Sequence, residues 1–302
     1  MTRKAPQSPP SVILDHRRQW RDCLYVYPVI ARRSKGLSIG VNLNPDKRCN
    51  FSCVYCQIDR GTRRRLRKVR MQVLADELRL AMAKATSGRL WSEARFAATP
   101  PEWRRINDIA LSGDGEPTCL DRFDRAVRAA DDVKREFRRG DVKIVVITNA
   151  SRLDRRPFQR ALPILDADNG EIWAKLDAGT EEHFRRINRP PVSLTLARIV
   201  RNIIAVARDR PVVIQSLFFK TDGAAPPPAE IDAYCDRLRE ILDAGGRIKL
   251  VQAHTIARPP AGRSASALSD RQLDAIAEAI RAAAGDVPVE AYYGADVPHP
   301  AD

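Results

Sequence analysis

No uninterrupted apolar run in the sequence approaches the ~20 residues that a membrane-spanning helix needs, so no membrane span is expected. The opening MTRKAPQSPPS is basic but leads into no apolar stretch; no secretory signal is expected, and the expected compartment is the cytoplasm. Walker loops, a GxSxG nucleophile elbow and an HExxH zinc helix are all missing, which removes the common NTPase, serine-hydrolase and metalloprotease readings. Histidine is scarce: His16, His183, His254 and His299 are scattered, with no partner at metal-ligand spacing. Six cysteines in 302 residues are too few, and too unevenly placed, for the disulfide framework of a small secreted domain. Acidic residues are outnumbered as well. Asp and Glu total 38 against 52 Lys and Arg, a net charge of +14 that favours nucleic acid, phosphate-rich ligands or acidic partners without choosing among them.

What is present is a repeating rhythm of short strands and amphipathic helices. Strand candidates fall at 37–43, 108–113, 142–148, 171–177, 212–218, 247–255 and 288–293. The segment VKIVVIT (142–148) is the clearest, being apolar, β-branched and continuous, as a strand buried on both faces should be. Helix candidates lie at 73–83, 121–137, 195–208, 229–242 and 270–284. Phe123, Val127, Ala130, Val133 and Phe137 make one stripe on the second of these. Ser269 with Gln272 forms a capping box for the last, and Gly285 is placed to end it. Residues 86–107 read as an insertion carrying Trp91, Phe96 and Trp103. Such alternation predicts an α/β fold of parallel βα units with right-handed crossovers, as a full or partial barrel or an open doubly wound sheet. The expected organisation is a flexible extension over 1–25, one core domain over 26–294 and a flexible tail over 295–302.

Half of the cysteines sit within eight residues, in CNFSCVYC (49–56). Cys49, Cys53 and Cys56 are spaced C-x3-C-x2-C on a loop just after the first predicted strand. Structural zinc wants four closed ligands, and an electron-transfer cluster normally has four cysteines. Three thiolates instead suit three irons of a cubane with the fourth iron open to a substrate. Two readings of other classes remain: a nucleic-acid-binding protein in which the cysteines hold a structural metal, and an electron-transfer protein that finds a fourth ligand. The remaining Cys23, Cys119 and Cys235 lack cluster spacing, and Cys119 closely follows a Gly-rich turn, GDGEPT.

The cysteine spacing, with Tyr55 just before the third cysteine, resembles the signature of the radical S-adenosylmethionine superfamily, and the likeness extends over most of the chain. GDGEP (113–117) resembles the family's glycine-rich motif that receives the amino group of S-adenosylmethionine, making Gly113, Asp114, Gly115 and Glu116 expected cofactor-binding residues. Gly115 is expected to let the backbone approach the cofactor, so that Gly115→Val weakens cofactor binding and spares the cluster. Thr148 and Asn149, Lys175 and Asp177, and Gln215 and Ser216 end the following predicted strands, where the family places groups near the cofactor. All of these fall at C-terminal strand ends, the edge at which βα folds build their sites. The resemblance implies a partial (β/α)6 barrel, a [4Fe-4S] cluster held by Cys49, Cys53 and Cys56, reductive cleavage of S-adenosyl-L-methionine, hydrogen abstraction from a substrate, and an external one-electron reductant of the flavodoxin or ferredoxin type.

Within that superfamily, SKGLSIGVNLNPDKRCNFSCVYCQ together with SGDGEPT, KLDAGT and INRP is similar to the wyosine-synthase-like branch. Characterised members of that branch modify a tRNA guanine, so a tRNA base is one candidate substrate; a small molecule or peptide is the other. The archaeal enzymes carry additional N-terminal cysteines for a second cluster, whereas this chain offers only Cys23 there. Residues 60–70, RGTRRRLRKVR, place seven Lys or Arg in eleven positions directly after the cysteine loop. They read either as a phosphate-binding rim or as a solvated loop and helix start. No aromatic residue interleaves the run, so base stacking there is not expected.

Overall fold

The computed structural model describes residues 18–31, 35–61 and 68–294. Its main sheet has eight strands. An antiparallel edge strand, β1 (Val26–Ala31), pairs with β2 (Gly36–Val41). From β2 the sheet runs parallel through β3 (Ile106–Leu111), β4 (Lys143–Thr148), β5 (Gly170–Lys175), β6 (Val212–Leu217), β8 (Ile248–His254) and β10 (Val289–Tyr292). Spatial order equals chain order, the arrangement that successive right-handed βα crossovers produce. Helices α1 (Met71–Thr86), α2 (Phe123–Glu136), α3 (Arg156–Ala167), α4 (Glu181–Asn188), α5 (Leu196–Ala207), α6 (Pro228–Asp243) and α7 (Asp270–Ala284) occupy the crossovers. The result is a partial (β/α)6-type barrel, extended at its edges by β1 and β10. A separate antiparallel pair, β7 (Phe219–Thr221) with β9 (Ala265–Ala267), joins the loops after β6 and β8.

The predicted strands and helices all form, with ends shifted by one to a few residues. The Ser269–Gln272 capping box is present, and Ser269 starts α7 as read. Among the described residues, β1, α3, α4 and the β7–β9 pair are additions. Strand β1 contains Pro28, which a ladder tolerates only where its missing N–H faces no partner, as at an edge. Helix α3 has Pro163 in its interior and Pro157 in its first turn. Helix α4 is only eight residues long, too short for a periodic signal. The segment 86–107 holds two short 3-10 turns, with Leu90 and Phe96 buried in the core.

Packing begins before Val26. Trp20 is 4% exposed and donates to Glu93 at 2.9 Å. The carboxylate of Glu77, buried on α1, accepts the backbone N–H groups of Leu24 (2.7 Å), Tyr25 (2.8 Å) and Val26 (3.0 Å). One side chain thus satisfies three donors at the start of β1, each of which would cost about 1–3 kcal/mol if left buried without a partner.

The two ends of the barrel differ in chemistry. At the N-terminal strand ends, Lys143 and Lys249 each reach Glu171 at 2.7 Å. Burial raises the Glu171 pKa, yet the two ammonium partners outweigh it and hold the carboxyl at about 2. That end is closed by paired charges, whereas the C-terminal ends open into a cavity. Among the described residues, no helix is long and apolar enough to cross a membrane.

Candidate functional site

The cavity occupies about 800 Å³, in the range of cofactor and substrate sites. Inward-facing Tyr27, Val29, Ser38, Gly40, Ala110 and Ile147 line its depth, and loops beyond the C-terminal strand ends line its mouth. Gly40 matters here because a Cβ at that position would overlap the Tyr27 ring, its partner across the β1–β2 ladder. The ring lies over the bare backbone and its hydroxyl donates to the Ser112 carbonyl at 3.0 Å.

Cys49, Cys53 and Cys56 all line this cavity, each partly buried and free of disulfides. Their loop has no regular structure, so other elements shape it. Ser52 and Val54 donate backbone N–H groups to the carbonyls of Arg189 (3.2 Å) and Ile187 (2.9 Å) at the end of α4. Ala261, in the loop after β8, donates to the Cys56 carbonyl at 2.9 Å. Asn50 accepts from Asn149 at 3.0 Å and donates to Ser151 at 2.7 Å, tying the loop to the end of β4. Burial pushes the Cys53 thiol up to about 12 and raises that of Cys49. Forming thiolates there requires cationic or metal partners. Among the described residues, no three His, Cys, Asp or Glu side chains converge on a single metal ion. A cubane sets each thiolate on a different iron and asks for no such convergence.

The GDGEP loop faces the cysteines across the cavity, and its side chains are committed to internal bonds. Asp114 takes Arg18 on one oxygen (2.8 Å) and Asn42 on the other (2.9 Å). Glu116 is fully buried. It accepts from the Thr118 hydroxyl (2.6 Å) and backbone (3.1 Å), the Thr148 hydroxyl (2.7 Å) and the Asn149 N–H (2.6 Å). Burial raises its pKa although these donors favour the carboxylate. Glu116 therefore holds the ends of β3 and β4 together rather than presenting charge to the cavity. The loop's backbone carbonyls are what it offers. Gly113 O accepts Arg18 Nη1 at 2.6 Å, and Asp114 O accepts Arg60 Nη1 at 3.1 Å. The glycines are required by space: a Cβ at Gly113 would overlap Asn42, and one at Gly115 would overlap the Arg48 carbonyl oxygen.

Tyr55, Thr148, Asn149, Lys175 and Gln215 also line the cavity, whereas Asp177 and Ser216 stand behind its wall. Asp177 accepts from the Tyr55 hydroxyl, from Asn188 (3.0 Å), from Lys175 (3.2 Å) and from the Leu217 N–H (3.0 Å). Burial, with Asp177 beside it, raises the Tyr55 pKa well above the ordinary phenol value. Lys175 lies over the Tyr55 ring, 5.3 Å from its centre. Ser216 has no exposed surface and pairs with the Tyr234 hydroxyl at 2.6 Å. Gln215 donates to Gln252 at 3.1 Å across the β6–β8 ladder.

Arg18, Arg60 and Asn188 also contribute, although the sequence reading places none of them at the cysteine site. Asn188 reaches the Tyr55 hydroxyl at 3.0 Å and Cys53 Sγ at 3.8 Å. Asn188 belongs to the INRP segment and Arg60 opens the basic run 60–70, whereas Arg18 carries no signal beyond the general excess of arginine. His254 lines the cavity and stacks on Tyr292 at 4.8 Å. Cys119 is not among the lining residues, and burial pushes its thiol up to about 12. Of the basic run, Thr62–Arg67 lies outside the described residues.

No protein-family model matches the chain. Over 178 residues it is 29% identical to a UPF0026 protein of Methanocaldococcus jannaschii, covering 59% of this chain and 48% of that one. The chain thus spans about half the length of this curated relative. Among solved structures, it superposes on a radical SAM methyltransferase from Sphaerobacter thermophilus with a TM-score of 0.59 and 16% identity, covering 90% of this chain and 70% of that one. Streptococcus suis SuiB bound to precursor peptide SuiA gives 0.58 at 14% identity, over 86% of this chain and 49% of that one. TYW1 with a lysine-pyruvate adduct bound gives 0.50 at 14% identity, over 81% and 73%. The chain shares the fold of these structures, one of them a radical SAM methyltransferase, which agrees with the fold that the motif resemblance implies.

Proposed function

We propose that this protein is a radical S-adenosylmethionine enzyme, with Cys49, Cys53 and Cys56 as ligands of a [4Fe-4S] cluster and the GDGEP loop as the seat of the cofactor's amino group. One observation carries the reading: the three cysteines and the GDGEP loop line a single cavity at the C-terminal edge of a parallel barrel. The residues present fit both groups. The thiols stand on one loop, and among the described residues no fourth cysteine lines the cavity. The carbonyls of Gly113 and Asp114 already receive cationic N–H donors from Arg18 and Arg60, the donor chemistry that an ammonium group presents. When bound, the cluster would supply the electron that cleaves S-adenosylmethionine reductively.

The chain's own part is orientation and exclusion of water. Asp177 fixes Tyr55 and Lys175 on the cavity wall, and Glu116 locks the GDGEP loop to β4. With cofactor bound, the barrel walls would shield the reacting groups from solvent. Anaerobic reconstitution tests the assignment. About four irons and four sulfides per chain are expected, together with a changed EPR spectrum of the reduced protein on adding S-adenosylmethionine and release of 5′-deoxyadenosine. One zinc per chain and no sulfide would mean a structural metal instead.

The substrate proposed is a tRNA base, on the net charge of +14 and the six cations that follow Arg60 in the basic run, between 63 and 70. Binding to tRNA should then weaken steeply with salt. Replacing Arg63, Arg64, Arg65 and Arg67 by Ala should flatten the slope by roughly 0.7–0.9 for each phosphate that the mutant leaves unneutralised. Cofactor cleavage without substrate should not change. The competing class is a peptide or small molecule, as SuiB's bound precursor peptide illustrates for the same fold. Equal salt slopes for wild type and mutant in filter binding would favour that class.

A further inference from the structure

The last residue of the cysteine loop is a cation with a specific address. Arg60 Nη2 lies 3.3 Å from Cys56 Sγ. Nη1 reaches the Lys47 carbonyl and, at 3.1 Å, the Asp114 carbonyl. Lys47 reaches back in turn, its ammonium donating to the Asp59 carbonyl at 3.0 Å. These bonds close the loop from 47 to 60 on itself and press the guanidinium between the third cysteine and GDGEP. The Nε atom is buried without a hydrogen-bond partner. A guanidinium stays charged at any pH the protein tolerates, so the positive charge at this spot is permanent.

The geometry points to Arg60 as a positioning residue that sets the reduction potential at the cysteine site, by holding a hydrogen bond and a full positive charge against Cys56. The inference rests on the cluster assignment above. Hydrogen bonds to ligand sulfurs and local charge are main levers on iron–sulfur potentials. Reduction adds negative charge to the site, so a fixed cation 3.3 Å from one ligand sulfur favours the reduced state and raises the potential. Of the other lining cations, Arg18 is paired with Asp114 and Lys175 with Asp177, and the Lys47 ammonium is held on the Asp59 carbonyl. Among the described residues, the hydrogen bonds of Arg60 go to carbonyls and sulfur, whereas those of Arg18 and Lys175 include a carboxylate.

The sign separates this role from loop-tying. Removing the charge should lower the potential, whereas loosening the loop and admitting water should raise it, because solvent also favours the more highly charged reduced state. The experiment is an EPR-monitored potentiometric titration of anaerobically reconstituted wild type, Arg60→Met, Arg60→Gln and Arg60→Lys, with iron and sulfide counted for each. In both neutral variants the reduction equilibrium should become at least tenfold less favourable, a fall of about 59 mV or more for one electron. Lysine should restore most of it. An unchanged or raised potential in a neutral variant that keeps its irons would overturn the inference. So would loss of the cluster from both neutral variants with their melting temperatures intact, which would make Arg60 an assembly residue. A wild type that takes up no iron would instead sink the cluster assignment itself.

Discussion

Replacing any one of Cys49, Cys53 or Cys56 by alanine is expected to strip the iron from the reconstituted protein and end S-adenosylmethionine cleavage. Each thiolate would serve a different iron, so the remaining pair could not cover for a missing corner, and among the described residues no other cysteine lines the cavity. The control substitutions lie elsewhere in the fold. Cys235 is buried on α6 with its thiol 3.6 Å from the Ala279 carbonyl. Cys23 sits near Glu77, and burial followed by that negative charge pushes its thiol up to about 12. Cys119 lies near Glu116 and Cys49 but outside the cavity lining. Alanine at any of these three should leave iron and sulfide at the wild-type level. Iron content falling from about four per chain to near zero in the first set, and staying put in the second, is the outcome to look for. A Cys53→Ala protein that still held four irons and cleaved the cofactor would overturn the assignment.

Much of this site is readable in the chain because its signals are local. Cysteine spacing, a Gly-rich turn and polar residues at strand ends are all short-range patterns, and the βα alternation tells which end of each strand carries them. Of the residues read this way, Tyr55, Thr148, Asn149, Lys175 and Gln215 reach the cavity with the three cysteines and the GDGEP backbone. Sequence says least where the outcome depends on which way a side chain turns. Asp177 and Ser216 are two residues and one residue from lining positions, yet the pleat turns Ser216 back into the wall against Tyr234. Glu116 looks like charge for the cofactor and is consumed by four donors from its own scaffold. Arg18 is hidden among the many arginines, and Arg60 reads as one cation of the basic run, since nothing in a sequence marks the one whose guanidinium meets a thiol 3.3 Å away. Strand β1 escapes for a different reason: Pro28 argues against a strand unless the edge position is already known.

Gly115→Val is expected to cost the protein its iron as well as its response to S-adenosylmethionine, which departs from what the motif alone predicts. The motif makes Gly115 a close-approach point for the cofactor, so a larger residue should weaken cofactor binding and spare the cluster. The packing argues otherwise. A Cβ at Gly115 would overlap the Arg48 carbonyl oxygen and press on the Asn44 side chain, and Arg48 immediately precedes Cys49. Neither neighbour yields freely: Arg48 O is backbone, and Asn44 is 9% exposed, its N–H bonded to Asn42 at 3.0 Å. The strain must move the first cysteine, and overpacking of this kind typically costs about 1–3 kcal/mol. That is enough to displace a ligand without unfolding the barrel. Iron should therefore drop sharply in Gly115→Val and partly in Gly115→Ala, with circular dichroism close to wild type. The decisive comparison is iron content against the cofactor-induced EPR change in each variant. A valine protein with full iron and no cofactor response would restore the simpler role, in which the glycine serves only the approach of the cofactor.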